Sequence, residues 1–191
     1  MIVSERYETK RLRSIASLVS AGSVLDLGFA QSPNKYIDSP ERIVGADLRS
    51  TNARSGYGEE VIANVLELDQ ALGARVFDTV ICGELIEHLE DPYQALRRIR
   101  RVIAPGGQLL LSTPNPLGFP VIFAEMTRTR QFFYTKEHAH YFLPRWMVRI
   151  LEHTGFEVEK IVGVGVWTPW FAIPGPVWAS YQVIYQARPT L

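Results

Sequence analysis

Short apolar runs that recur between amphipathic stretches constrain this chain more than any other feature. Val24-Leu25-Asp26-Leu27-Gly28, Arg42 to Asp47 (RIVGAD), Glu60 to Ala63 (EVIA), Phe77 to Cys82 (FDTVIC) and Gln108 to Ser112 (QLLLS) are too short for helices. They fit strands buried on both faces. Ser4 to Ser20, rich in charge, Tyr93 to Ile103 and Pro144 to Thr154 have helical spacing; Leu96, Ile99, Val102 and Ile103 fall on one face of the second, and Trp146, Met147, Ile150 and Leu151 on one face of the third. Pro105-Gly106-Gly107 reads as a turn that launches a strand, and Phe156 to Val164 and Ser180 to Ala187 read as two final strands. Strands alternating with helices imply an α/β fold, a mostly parallel sheet with helices on both faces. No linker, repeat or low-complexity tract divides residues 1–191, which predicts a single domain.

Composition narrows the function classes. Twenty basic residues balance twenty acidic ones, so the chain lacks the bulk charge of a nucleic-acid coat, and nucleic acid is not the expected partner. Arg97, Arg98, Arg100 and Arg101 then read as a solvated helix face. The single cysteine, Cys82, builds neither a disulfide pair nor a thiolate metal site. Charges at the N-terminus, MIVSERYETKRLR, replace the apolar region of a secretory signal and predict a cytoplasmic protein. Ile161 to Ala187 carries no charge, but its glycines and prolines interrupt it too often for a transmembrane helix.

The ends of the strands carry the chemistry. In open parallel sheets ligands sit beyond the carboxyl ends, where the strand order reverses. Gly28 allows close backbone approach at the first turn, and Ala30 keeps the next loop small. Asp47 closes the second strand, a position from which a carboxylate accepts both ribose hydroxyls of a nucleoside, with Leu48 beside it. Asn64 and Val65 follow the third strand, an amide and an apolar face suited to adenine, and Gly83 closes the fourth. Beyond Gly83, Glu84, Glu87 and His88 share a face if the segment is helical. They form a hard-to-borderline donor set for Mg²⁺, Mn²⁺, Fe²⁺ or Zn²⁺, with a fourth ligand from His138 or His140. The blander reading makes Glu84 and Glu87 helix N-terminal acids favoured by the macrodipole.

Taken in order, VLDLG, IVGAD, FDTVICGELIEHLEDP and VIAPGGQLLLSTPNP resemble the class I S-adenosylmethionine-dependent methyltransferases over residues 10–164. The resemblance implies a doubly wound seven-stranded sheet with an antiparallel last strand. It also implies S-adenosylmethionine as cofactor, held by Asp26, Gly28, Ala30, Asp47, Leu48, Asn64, Val65 and Gly83, with Asp26 and Gly28 near the methionine moiety and Asp47 on the ribose. One departure stands out: the family's Gly-x-Gly-x-Gly is here Gly28-Phe29-Ala30-Gln31-Ser32. Glu-x-x-Glu-His, Ser-Thr-Pro-Asn and His-x-His are similar to the ubiquinone-biosynthesis O-methyltransferases and to small-RNA 2′-O-methyltransferases. In the RNA group two Glu and two His hold a divalent metal, and Glu84, Glu87, His88 and His140 match those positions. This implies Mg²⁺ or Mn²⁺ assistance, or His88 or His140 as general base without metal. O-methylation of a small molecule or glycan with neighbouring hydroxyls is the leading expectation; a non-catalytic cofactor-binding module and an RNA 2′-O-methyltransferase are the alternatives.

Two further segments carry expectations. Residues 117–143, with Phe119, Phe123, Phe132, Phe133 and Tyr134, sit where this fold places its substrate cover. The Pro/Trp-rich connection, residues 165–179, leaves core packing, dimerisation and peripheral contact with a membrane or lipid-linked substrate all open.

Overall fold

The computed structural model describes residues 2–52, 54–118, 121–122, 126, 138–167, 172–173 and 175–190. Seven strands form one sheet: β1 (Val24–Leu27), β2 (Ile43–Asp47), β3 (Glu59–Ile62), β4 (Phe77–Gly83), β5 (Ile103–Pro114), β6 (Phe156–Gly163) and β9 (Gln182–Pro189). Their order is β3-β2-β1-β4-β5-β9-β6, so the chain order reverses between β1 and β4. β1 to β5 pair in parallel, and β9 runs antiparallel between β5 and β6. β7 (Val166–Trp167) and β8 (Ala172–Ile173) make a separate two-stranded ribbon inside the Pro/Trp-rich connection.

Each central strand is mostly apolar because successive residues enter two cores. Leu25, Leu27, Val80, Cys82, Leu109 and Leu111 face a larger core shared with α2 (Leu68–Leu72), α3 (Pro92–Arg101) and α4 (Pro144–His153). Val24, Ile81, Leu110 and Ile184 face a smaller one closed by Ile15 of α1 (Ile2–Ala16). Helices therefore cover both faces, as the resemblance implies. α3 starts where Asp91 Oδ1 accepts a hydrogen bond from Gln94 N at 2.8 Å, with Pro92 in the first turn. Among the described residues no helix is long and apolar enough to cross a membrane.

Several boundaries differ from the sequence reading. α1 stops at Ala16, four residues before the expected Ser20. Pro105-Gly106-Gly107 does not precede β5 but lies inside it: Ile103 pairs with Phe77 and Gln108 with Thr79, and residues 104–107 bulge out between these two pairs. Phe119, Phe123, Phe132, Phe133 and Tyr134 of the expected cover, and Trp170 and Phe171 of the connection, lie outside the described residues. Of the rest, Trp178 is exposed.

Candidate functional site

An open cleft of about 410 Å³ lies at the carboxyl ends of β1, β2 and β3, beside the reversal of strand order. Gly28, Asp47, Leu48, Asn64 and Val65 line it, joined by Leu85 and Leu89 from beyond β4. Gly28 is left-handed, with φ 72°, and a Cβ there would meet the Leu85 side chain at 3.3 Å. Glycine thus serves both the turn and the close approach. Asp47 is held from two sides: Oδ2 accepts from Ala30 N and Oδ1 from Arg49 N, each at 3.0 Å. Ala30 thereby orients the carboxylate through its backbone. Asn64 Oδ1 caps the next turn by accepting from Leu66 N at 3.0 Å, which leaves its amide NH₂ as the group able to read a base edge.

The departure from Gly-x-Gly-x-Gly has a packing counterpart. Phe29 is buried, and its ring lies against Gly45 of β2, where a Cβ would come within 2.6 Å of it. Tyr57 stacks at a tilt on the same ring, 5.3 Å between centroids. Ala30 and Ser32 stand where the usual loop has its second and third glycines, and Phe29, at the variable position between Gly28 and Ala30, is anchored in space that the neighbouring strand supplies.

Two residues expected at the cofactor, Asp26 and Gly83, do not line this cleft. Leu27 lines the cleft, so Asp26 points to the α1 face, nearly buried, and accepts from the Tyr57 hydroxyl at 2.6 Å. Tyr57 in turn accepts from Asn34 N, and Asn34 donates its amide to Leu12 O of α1. Burial pushes the Asp26 carboxyl up to about 6, against the opposing hydrogen bond from Tyr57 and the charge of Arg11. Gly83 is also off the cleft wall: it makes room for Arg11, whose Nη1 would be 2.6 Å from a Cβ at that position. Arg11 is 6% exposed, its Nε finds no partner, and its charge acts on Asp26, Glu84 and Glu87.

The helical turn expected over Glu84 to His88 is not formed. Glu84 has φ 52°, a left-handed conformation that breaks the run, and only a short 3₁₀ turn follows at Ile86–His88. Glu84, Glu87 and His88 therefore do not share a helix face. Glu84 Oε1 accepts from Ser112 Oγ at 3.1 Å and Oε2 from Gln182 Nε2 at 2.9 Å. Glu87 is 1% exposed, and neither of its carboxylate oxygens has a hydrogen-bond partner. Burial, with the neighbouring Glu84 adding to it, pushes the Glu87 carboxyl up to about 9.

Ala139 N and His140 N both donate to Glu87 O, at 2.9 and 3.0 Å, which lays the His-x-His segment on this loop. The imidazole brought to His88 is that of His138, with ring centroids 4.7 Å apart. Glu87, His88 and His138 offer ligand atoms all within 4.8 Å of one another. Glu84 and His140 are outside that group; His140 stacks on Phe142 at 5.7 Å. The sequence pattern contained both histidines without indicating which one turns inward. Arg11, Tyr57 and Gln182 carried no signal, being a charge on a helix, a loop aromatic and a strand amide.

The family's methyltransferase-domain model matches residues 3–161. The chain belongs to the methyltransferase domain family, of the class I S-adenosylmethionine-dependent kind. It is 30% identical over 152 residues to a probable S-adenosylmethionine-dependent methyltransferase of Mycolicibacterium smegmatis, which covers 64% of this chain and 56% of that protein. It is 30% identical over 136 residues to a ubiquinone biosynthesis O-methyltransferase of Xanthomonas axonopodis pv. citri, covering 69% and 56%. The chain spans about half the length of the curated relatives it matches. Among solved structures, a methyltransferase of Thermotoga maritima superposes with a TM-score of 0.79 over 98% of this chain and 91% of that one, at 17% identity. That likeness bears on the fold.

Proposed function

We propose that this chain is the methyl-transfer domain of an S-adenosylmethionine-dependent O-methyltransferase acting on a small molecule or glycan with neighbouring hydroxyls. One observation carries the reading: a single short loop serves both halves of such a reaction. Leu85 and Leu89 wall the open cleft, while Glu87 and His88, between them, stand with His138. The likeness to ubiquinone biosynthesis O-methyltransferases favours oxygen as the acceptor atom.

The cleft fits the cofactor. Val65, Leu85 and Leu89 give an apolar slot, Asp47 stands at its wall with lone pairs to spare, and Gly28 keeps the floor free of a Cβ. When bound, S-adenosylmethionine supplies a methyl group on a sulfonium sulfur, an electrophile that reacts in line with little help beyond alignment. Asp47 orients the ribose by accepting from its hydroxyls, and the leucine wall excludes water. His88 or His140 would take the acceptor's hydroxyl proton at a ring nitrogen.

A divalent ion also fits the residues present, because Glu87 holds two buried carboxylate oxygens that no protein donor satisfies. Glu87, His88 and His138 would hold it. With one carboxylate and two imidazoles the set suits Mn²⁺ better than Mg²⁺. Such an ion would supply open positions for adjacent hydroxyls and lower the pKa of one. With His88 so engaged, His140 is the remaining base. The arginine face of α3 adds nothing to an RNA reading: Arg98 and Arg101 pair with Asp69, and Arg100 donates to Thr190 O.

Calorimetry with S-adenosylhomocysteine, followed by transfer of label from S-adenosylmethionine to a panel of catechols and sugar diols, tests the reading. Micromolar binding and label on a diol are expected. Absence of binding reduces the chain to a scaffold, and label on small RNAs instead of diols moves it to the RNA group.

A further inference from the structure

The polar residues on the α1 face, at the ends of β4, β5 and β9, form a second cluster beside the ligand group. Glu84 is its centre. Its backbone N donates to Ser112 O at 3.0 Å, and its two carboxylate oxygens are taken by Ser112 Oγ and Gln182 Nε2. A non-glycine residue at φ 52° is strained and persists only where its surroundings over-determine it. Here Ser112 of β5 and Gln182 of β9 do so together. Arg11, packed on Gly83, adds a buried positive charge that acts on Glu84.

We propose that Glu84 is a positioning residue and not a metal ligand: Ser112 and Gln182 hold its carboxylate out of the divalent-ion group, which consists of Glu87, His88 and His138. This rests on the metal part of the proposed function, and it departs from the set that the family resemblance implies. For Glu84 to ligate, it would have to surrender its bond from Gln182. Gln182 is 7% exposed and its Oε1 already has no partner, so its NH₂ would then be orphaned as well. Buried amides left with neither bond are costly, and the clamp stays shut. Its service to the site is indirect. By fixing the left-handed turn at residue 84, the clamp aims the following loop so that Glu87 and His88 meet His138.

Mn²⁺ binding to the metal-free full chain, followed by electron paramagnetic resonance and calorimetry, separates the two roles. Glu87→Gln should weaken Mn²⁺ by about a hundredfold, whereas Glu84→Gln, which keeps an acceptor for Gln182, should stay within roughly threefold. Glu84→Ala and Gln182→Met loosen the clamp and should each cost about tenfold. A ligand would fail in both Glu84 variants; a positioning residue is rescued by the conservative one. Equal losses in Glu84→Gln and Glu87→Gln overturn the proposal, and so does a wild-type chain that binds no Mn²⁺. That last result would leave methyl transfer itself standing, since S-adenosylhomocysteine affinity and label transfer are read independently.

Discussion

The cofactor cleft and the ligand group are joined by one loop, yet they treat their polar atoms in opposite ways. At the cleft, Asp47 is held by two backbone amides and Asn64 by a third. At the ligand group, Glu87 is almost fully buried with both oxygens unbonded. A satisfied carboxylate costs the fold nothing and waits for its ligand in place. An orphaned one stores free energy that only a proton or a cation can release. The first arrangement suits a cofactor common to a whole family, and the second suits a site whose filling is part of the chemistry.

That contrast is sharpest in the metal-free chain at alkaline pH. Glu87 is raised to about 9, so the folded state holds a proton that the unfolded state gives up near 4. Its contribution to stability is therefore full at low pH and lost as pH rises through about 9. Glu87→Met, similar in shape and apolar, should melt higher than wild type by roughly 5 °C or more at pH 9, with a smaller gap at pH 6. A gap that stays constant with pH would mean that Glu87 finds a partner in solution.

Asp26 lies between the two regimes, buried but bonded to Tyr57. Held at about 6 by burial, it too favours folding below about pH 4 and loses that contribution as pH rises through 6. The change is on the order of 3 kcal/mol. Denaturant titrations from pH 4 to 7 should show this slope in wild type and a flatter one in Asp26→Asn. An identical slope in both would place the titration elsewhere.

Asp47 should have the smallest effect on folding and act on binding alone. On the proposed ribose contact, Asp47→Ala should weaken S-adenosylhomocysteine ten- to a hundredfold by calorimetry, about 1.4 to 2.7 kcal/mol. The ligand-free melting temperature should move by no more than a few degrees. Unchanged affinity would take the ribose away from Asp47 and dissolve the contrast between a prepared side and a strained one.

Most of the fold was legible because β1, β2, β4 and β5 are buried on both faces, which forces continuous apolar runs that few other folds produce. Asp47, Asn64 and Val65 were legible for a related reason: a residue at a strand end has its place fixed by the strand. Side chains whose direction depends on alternation or on the tertiary path were not. Asp26 sits one residue from the cleft-lining Leu27 and points the other way. His138 and His140 are equivalent in the sequence until two amides on Glu87 O decide which ring turns inward. The left-handed turn at Glu84 had no glycine to announce it, since Ser112 and Gln182, distant in the chain, enforce it.

β9 separates β5 from β6 but follows both in the chain. During synthesis β5 can pair with β4 but keeps its other edge unpaired, and β6 has no strand to bond until residues 182–189 arrive between them. Gln182 opens that insertion. The partner of Glu84 is therefore delivered by the event that closes the sheet, so an incompletely assembled chain carries its cofactor wall before it carries an aligned ligand loop.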